Sequence, residues 1–163
     1  MSNRKREPKR PILRGESRDE RPNVGILLRG PFQEIVRRIA EGLAEAGFDD
    51  LRPAHTTVFQ HIKADGSRLS ELAERSQITK QSMGYLVDYL EEHGYLERRA
   101  DPSDRRASLI FLTERGWAEV REALKIIAQI EQEWARQLGK QRMEQLRELL
   151  TELNTSAPSR HQA

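Results

Sequence analysis

Residues 69–93 read LSELAERSQITKQSMGYLVDYLEEH, a pattern that predicts two helices joined by a turn. Ser70 is predicted to cap a short helix that ends at Ser76, and Thr79 to cap a longer helix that ends near His93. A tight turn joins the two helices, and their apolar residues fall on facing sides. The predicted shared core consists of Leu72, Ala73, Ile78, Met83, Leu86, Val87 and Leu90. Two short helices that share a core across a tight turn indicate a helix-turn-helix.

The helix after Thr79 has a polar face opposite its apolar stripe. Because successive helical residues are rotated by about 100°, burying Met83 and Val87 turns Gln81 and Tyr85 towards solvent. Gln can pair with adenine, Ser with several base edges and Lys with guanine or phosphate, while a glycine lets the backbone come close. The candidate base-reading residues are Thr79, Lys80, Gln81, Ser82, Gly84 and Tyr85. An ordinary solvated helix face is the alternative interpretation.

A β-hairpin is predicted directly after this helix. Two strand-like runs, 95–100 and 107–112, flank a turn-forming loop over 101–106. A hairpin tip rich in arginine suits a DNA minor groove. Asp104 is expected to hold the Arg106 guanidinium in a bidentate ion pair and orient it. The candidate residues of this wing are Arg98, Arg99, Asp104, Arg105 and Arg106.

The remainder of the chain is predicted to be helical. One helix over 24–46 stops at Gly47, a second begins at Pro53, and Thr113 opens a long helix that breaks at Gly139 before a final one. Apolar residues at intervals of three and four on the first and the last two helices predict a homodimer interface, with packing inside one chain as the alternative. The candidate interface residues are Phe32, Ile35, Trp117, Leu124, Trp134, Leu146, Leu150 and Leu153.

Composition narrows the function classes. The 163 residues include no cysteine, which excludes disulfides, thiolate zinc sites and thiol redox sensing. We find no apolar run of about 20 residues and no secretory signal, so we expect a cytoplasmic protein without a membrane contact. The four histidines lack metal-ligand spacing, and no nucleophile motif occurs, so we expect no metal, no cofactor and no enzymatic activity.

Charge divides the chain into regions. Residues 1–22 contain eight Arg and Lys against four Asp and Glu and almost no apolar residues, which predicts a disordered basic arm. The predicted main domain covers 23–154 and is followed by a flexible tail over 155–163. Within that domain, dimerisation helices are expected at 23–52 and 114–154, and a DNA-binding lobe at 53–113.

From residue 24 to residue 153, the chain resembles the MarR family of bacterial transcriptional regulators. The motifs that carry the resemblance, in order, are LSELA at 69–73, ITKQSM at 78–83, LVD at 86–88, GYL at 94–96, DPSDRRA at 101–107 and LTERG at 112–116. The resemblance implies a triangular homodimer whose N- and C-terminal helices interlock above two winged helix-turn-helix lobes. It also implies that the helix from Thr79 to His93 enters a major groove, that Arg106 enters a minor groove, and that Asp104 orients Arg106.

The resemblance further implies control by a small molecule. Many members of the family are repressors that leave DNA when a small, often aromatic, effector binds between the two kinds of lobe. His55, which precedes the second helix near that boundary, and Phe59 are the candidate cleft residues. The family's oxidation sensors use a cysteine in the first helix, which this chain lacks.

The sequence therefore predicts a sequence-specific DNA-binding regulator, acting as a repressor and binding a palindromic operator as a homodimer. Its expected partners are double-stranded DNA, a second copy of the chain and a small effector. The alternative is a winged-helix adaptor that binds proteins instead of DNA. The basic charge of the hairpin favours DNA.

Overall fold

The computed structural model describes residues 22–156, so the predicted basic arm up to residue 21 and the predicted tail from 157 lie outside the described residues. The described chain is mainly helical with one small antiparallel sheet, which confirms the predicted fold class. The elements in chain order are α1 (Val24–Glu45), α2 (Pro53–His61), β1 (Ser67–Arg68), α3 (Leu69–Arg75), α4 (Lys80–Glu92), β2 (Leu96–Asp101), β3 (Asp104–Leu112), α5 (Glu114–Leu138) and α6 (Lys140–Ser156). No helix within these residues has the length and apolar character that a membrane crossing requires.

The chain divides after Glu34 into two units, and the first contains the start of α1. The side chain of Asn23 caps this helix, because its Oδ1 accepts the backbone N–H of Ile26 at 3.0 Å. Apolar side chains along this stretch, Phe32 among them, are exposed.

The second unit, from Ile35 onwards, contains two apolar clusters. The larger one, which we call the lobe core, is formed by Val58, Leu72, Ala73, Met83, Val87, Leu90, Tyr95, Leu96 and Ile110. Ile78 and Leu86 pack against it, so the predicted helix-turn-helix core is confirmed. The smaller cluster, which we call the helix core, joins Leu43 of α1 to Ile126 and Ile130 of α5.

The start of α4 agrees with the sequence, whereas the start of α3 differs. Thr79 caps α4 as predicted, with its Oγ1 accepting the N–H of Ser82 at 3.1 Å. The predicted cap Ser70 is wrong, because α3 begins at Leu69 and Arg68 occupies the cap position. Arg68 is extended because it pairs with Leu109 in the sheet. The strand β1 was not predicted, because two residues are too few to show an alternating pattern.

The hairpin is longer than predicted. Its strands β2 and β3 pair from Leu96 and Leu112 to Ala100 and Ser108, and the register becomes irregular where Asp101 faces Asp104. The predicted six-residue loop is therefore a two-residue turn, and residues 104–106 lie in β3. β3 is the central strand, with β1 and β2 on its two sides.

Candidate nucleic-acid interface

The first two turns of α4 present a polar surface. The exposed side chains are Thr79, Lys80, Gln81, Ser82 and Tyr85, and Tyr85 is 67% exposed. Gln81 Nε2 donates to the Tyr85 hydroxyl at 3.2 Å, and the hydroxyls of Thr79 and Ser82 lie 2.9 Å apart. Gly84 is half-buried beside Leu69. The predicted orientation of the helix is confirmed, while contact of this face with DNA remains a prediction.

The adjacent arginines Arg98 and Arg99 of the hairpin lie on opposite faces of the sheet. Arg98 Nη2 donates to Asp88 Oδ1 at 2.6 Å, and its Nη1 forms an ion pair with Glu91. Side chains alternate along a strand, so Arg98 lies on the side of the sheet that faces α4. Arg98 therefore links β2 to α4, and its predicted contact with DNA remains a prediction.

Arg99 lies on the opposite face of the sheet. Its guanidinium stands 4.6 Å from the centre of the Phe111 ring and forms an ion pair with Glu97. The side chain remains largely exposed. Arg99 is thus accessible to a partner but is also held by contacts of its own.

Asp104 contacts Arg106 through the backbone. Asp104 Oδ1 accepts the Arg106 N–H at 3.0 Å, which is the bond that a short carboxylate commonly makes two residues ahead. Among the described residues, no ion pair joins the Arg106 guanidinium to Asp104, so the structure does not bear out the predicted bidentate pair. Arg106 is exposed, and Arg105 lies between these two residues in β3.

A network that the sequence did not reveal closes the turn of the hairpin. Asp101 is only 5% exposed, and Arg68 donates to its Oδ2 from Nε at 2.8 Å and from Nη2 at 2.6 Å. The N–H and hydroxyl of Ser103 donate to Asp101 Oδ1 at 2.8 and 2.6 Å. These Ser103 bonds and the Arg68 contact lower the pKa of Asp101 to about 2. The carboxylate is therefore charged at neutral pH.

The predicted cleft residues, His55 and Phe59, pack against other side chains of the lobe. His55 is buried, its ring stacks on Tyr89 with centroids 4.4 Å apart, and Tyr89 stacks in turn on His93 at 3.9 Å. The Nδ1 atom of His55 accepts the Arg52 N–H at 3.0 Å. Phe59 packs edge-on against Tyr95 at 6.0 Å. Both residues contribute to the packing of the lobe, and their contact with an effector stays a prediction.

A polar cluster next to this stack connects the start of α5 to the lobe. Asp50 accepts the Tyr95 hydroxyl at 2.5 Å and Arg115 Nη2 at 2.9 Å. The Arg115 guanidinium also stands 4.4 Å from the centre of the Tyr95 ring. Burial and the bond to Asp50 raise the pKa of Tyr95 to about 12. The phenol therefore stays protonated and donates a hydrogen bond to Asp50.

The candidate interface residues differ in their surroundings. Phe32, Leu124 and Leu153 are exposed. Ile35 and Trp134 pack against the helix core, so part of the apolar stripe serves the single chain. Half-buried side chains are found at Trp117, Leu146 and Leu150.

Comparisons with known proteins identify the family. A family model described as MarR family matches residues 49–107. The uncharacterized HTH-type transcriptional regulator YdcH of Bacillus subtilis strain 168 is 32% identical over 115 residues, 68% of this chain and 78% of that protein. The HTH-type transcriptional repressor MdtR of the same organism is 28% identical over 103 residues, 63% of this chain and 64% of that protein.

Solved structures show the same fold. The apo form of wild-type MarR from E. coli superposes with a TM-score of 0.66 at 25% identity, covering 82% of this chain and 98% of that chain. The S. aureus MepR F27L mutant bound to an oligodeoxyribonucleotide gives a TM-score of 0.58 at 23% identity, covering 82% and 97% of the two chains, a likeness in fold alone. The chain therefore belongs to the MarR family of winged helix-turn-helix transcriptional regulators, and it is a DNA-binding regulator rather than an enzyme.

Proposed function

We propose that the protein represses transcription by binding, as a homodimer, an operator that contains an inverted repeat. In this proposal residues 53–113 bind DNA, and 23–52 together with 114–154 pair the two copies. The observation that carries the proposal is the polar first half of α4. That surface exposes Lys80, Gln81 and Tyr85, while the opposite side of the same helix is buried in the lobe core.

Chemistry and charge support contact with two grooves. The α4 residues combine a cation with amide and hydroxyl groups, which suits the edges of bases in a major groove. Arg106 is exposed on the hairpin of the same lobe, as a minor-groove contact requires. Asp88 and Glu91 lie further along α4 and pair with Arg98, which partly neutralises the acidic half of the helix. A dimer would place its two lobes on half-sites about 10 base pairs apart.

Selection of DNA by the full chain tests the proposal. A random-sequence duplex library is passed over the protein at low salt, and binding of the enriched duplex is followed by fluorescence anisotropy as salt increases. We expect an inverted repeat and a steep fall in affinity with salt, because each phosphate contact releases counterions. Enrichment of no sequence at all would overturn the proposal and favour the protein–protein adaptor.

A pair of arginine variants sharpens this test. Arg106→Ala is expected to weaken binding by ~1–3 kcal/mol if its side chain enters a groove. Arg121→Ala is the matched control, because Arg121 is an exposed arginine paired with Glu114 on α5, outside the lobe. Equal affinity of the two variants for the selected duplex would contradict the proposal that Arg106 of the hairpin contacts DNA.

Release by a small aromatic molecule is the second part of the proposal, and it is supported by the resemblance to the family. Its test is a screen in which compounds are added to the protein bound to the selected duplex. A compound that lowers occupancy of the wild type should also raise the melting temperature of the free protein, since a ligand stabilises the state that it binds. A screen of aromatic acids and phenols that yields no such compound would contradict this part alone.

A further inference from the structure

Arg68 differs from the other arginines near the hairpin, because all of the described hydrogen bonds of its side chain go to the turn. Its Nε and Nη2 converge on Asp101 Oδ2, and the same Nη2 also donates to Ser103 Oγ at 3.2 Å. Ser103 in turn donates twice to Asp101 Oδ1. The three side chains form a closed network in which both oxygens of the buried carboxylate accept two bonds each.

The topology explains why this network matters for the hairpin. Arg68 is on β1 and Asp101 on β2, so their ion pair crosses the central strand β3. β1 has only two residues, and the next residue, Leu69, begins α3. The network thus connects the turn of the hairpin to the start of the helix-turn-helix.

The backbone alone holds the turn weakly. The regular ladder between β2 and β3 ends at Ala100, and one irregular pair, Asp101 with Asp104, closes the hairpin. A two-stranded ribbon is only marginally stable in water without further contacts. The N–H of Ser103 bonds to the carboxylate of Asp101, so the conformation of the turn depends on a side chain that Arg68 holds from outside the hairpin.

We propose that Arg68 is a positioning residue that fixes the turn at 101–104 and thereby holds Arg106, two residues further along β3, in the orientation in which the hairpin meets DNA. The inference rests on the proposed function of the hairpin. The network is complete in the protein without DNA, so the turn is ordered before binding and little conformational entropy is lost on contact. Arginine is needed because two of its donors must reach one oxygen, a geometry that a single ammonium group does not reproduce.

The alternative role of Arg68 is a direct phosphate contact, and lysine distinguishes the two roles. Arg68→Lys keeps the positive charge but loses the forked geometry, whereas Arg68→Met keeps the aliphatic stem and loses the charge. A positioning role predicts that both variants weaken binding of the selected duplex by about tenfold, and that Arg68→Met lowers the dependence of affinity on salt no further than Arg106→Ala does. Wild-type affinity in Arg68→Lys, or a salt dependence in Arg68→Met that is shallower than in Arg106→Ala, would overturn the proposal.

A double-mutant cycle asks whether Arg68 acts through Arg106. If it does, adding Arg68→Met to Arg106→Ala should weaken binding by less than about twofold beyond Arg106→Ala alone, since the group to be positioned is already gone. Effects of the two changes that multiply would contradict the proposal. Arg121→Met serves as the control for loss of one paired arginine elsewhere.

A measurement without DNA separates this inference from the proposed function. Hydrogen exchange of the Ser103 amide should be about tenfold faster in Arg68→Met, with amides of α5 unchanged, because the lost contact is local. An unchanged Ser103 rate would refute the network as the element that orders the turn, whether or not the protein selects a duplex. Failure of the wild type to select any duplex would instead refute the proposed function.

Discussion

Glu119 on α5 is a buried carboxyl group without a partner in the described chain. The residue is 3% exposed, and its Oε2 forms no hydrogen bond with any of residues 22–156. Burial raises its pKa from 4.5 to about 7. The folded chain therefore holds a proton on Glu119 at pH values where the unfolded chain has released it.

We expect Glu119 to make the protein less stable as pH rises from 4.5 to 7, because the folded state binds more protons than the unfolded state in that window. Glu119→Gln removes the titration. Urea unfolding at fixed protein concentration gives the free energy of unfolding of the variant and of the wild type at each pH. From pH 4.5 to pH 7, the difference between them should shift in favour of the variant by ~1–3 kcal/mol. A difference in unfolding free energy that does not change with pH would contradict this prediction.

The contribution of His55 to stability increases with pH, whereas that of Glu119 decreases. Burial, and then the positive charges of His93 and Arg52, lower its pKa below 6.5, while Asp50 acts in the other direction. Its Nδ1 accepts a bond from the backbone, which requires the neutral ring. The contribution of His55 to stability is complete above pH 6.5 and is lost as pH falls through its lowered pKa.

His55→Gln tests this dependence. A glutamine three residues after the cap can still accept the Arg52 N–H, but it does not titrate and does not stack on Tyr89. We expect a loss of ~0.5–1.5 kcal/mol at pH 7.5 from the missing ring contact, and a smaller loss of stability on acidification below pH 6.5 than in the wild type. Acid sensitivity equal to that of the wild type would assign the titration to another group.

At the scale of elements, α4 is joined firmly to both of its neighbours. Its buried face contributes to the lobe core, and its Asp88 and Glu91 pair with Arg98 of β2. Tyr89 donates its hydroxyl to the carbonyl of Asp50 at 2.7 Å. The helix and the hairpin are therefore joined by packing and by ion pairs, and Gly84 is the one glycine in α4.

We expect Gly84→Ala to raise the free energy of unfolding by ~0.5–1 kcal/mol, because alanine favours a helix and the nearest side-chain atom lies 4.0 Å from the added Cβ. If the backbone at Gly84 approaches a base, the same change should weaken binding of the selected duplex. Undiminished DNA affinity in this variant would show that the backbone stays away from the groove.

Gly116→Ala provides the contrast on another helix. A Cβ at Gly116 would lie 2.3 Å from the carbonyl oxygen of Tyr95, so the start of α5 would have to move away from the backbone that precedes β2. We expect a loss of ~1–3 kcal/mol in a urea titration. Unfolding free energies that change equally for the two glycine variants would refute this account of the packing.

At the scale of the whole molecule, the described chain leaves much apolar surface uncovered. Phe32 on α1 is 63% exposed and Leu153 on α6 is 60% exposed. Large exposed apolar surfaces mark contact sites, and only 36% of the residues are hydrophobic, which limits the core of a single chain. Both observations favour the proposed homodimer.

Phe32→Arg is expected to shift the protein from dimer to monomer in sedimentation equilibrium, because it places a charge in the apolar surface. DNA affinity should fall with it, since one lobe reads one half-site only. Gln33→Arg is the control, as it adds the same charge at the neighbouring exposed position. Dissociation of both variants would indicate a general effect of charge, and dissociation of neither would contradict the assigned interface.

Features that depend on neighbours along the chain could be predicted from the sequence. The extent of α4, its Thr79 cap and its buried stripe were predictable, because helical periodicity and capping act over a few residues. The hairpin and the break before α6 were also predictable from turn-forming residues. The same local signals misplaced the start of α3, where pairing in the sheet overrides the capping preference of Ser70.

The roles of residues whose partners are distant in sequence became visible in the folded chain alone. Arg98 and Arg99 are adjacent and chemically identical, yet the alternation of β2 directs one to α4 and the other to Phe111. The ion pair of Arg68 with Asp101 spans 33 positions. A single sequence contains no periodic signal for such pairs, because they arise from the packing of elements against each other rather than from local chain chemistry.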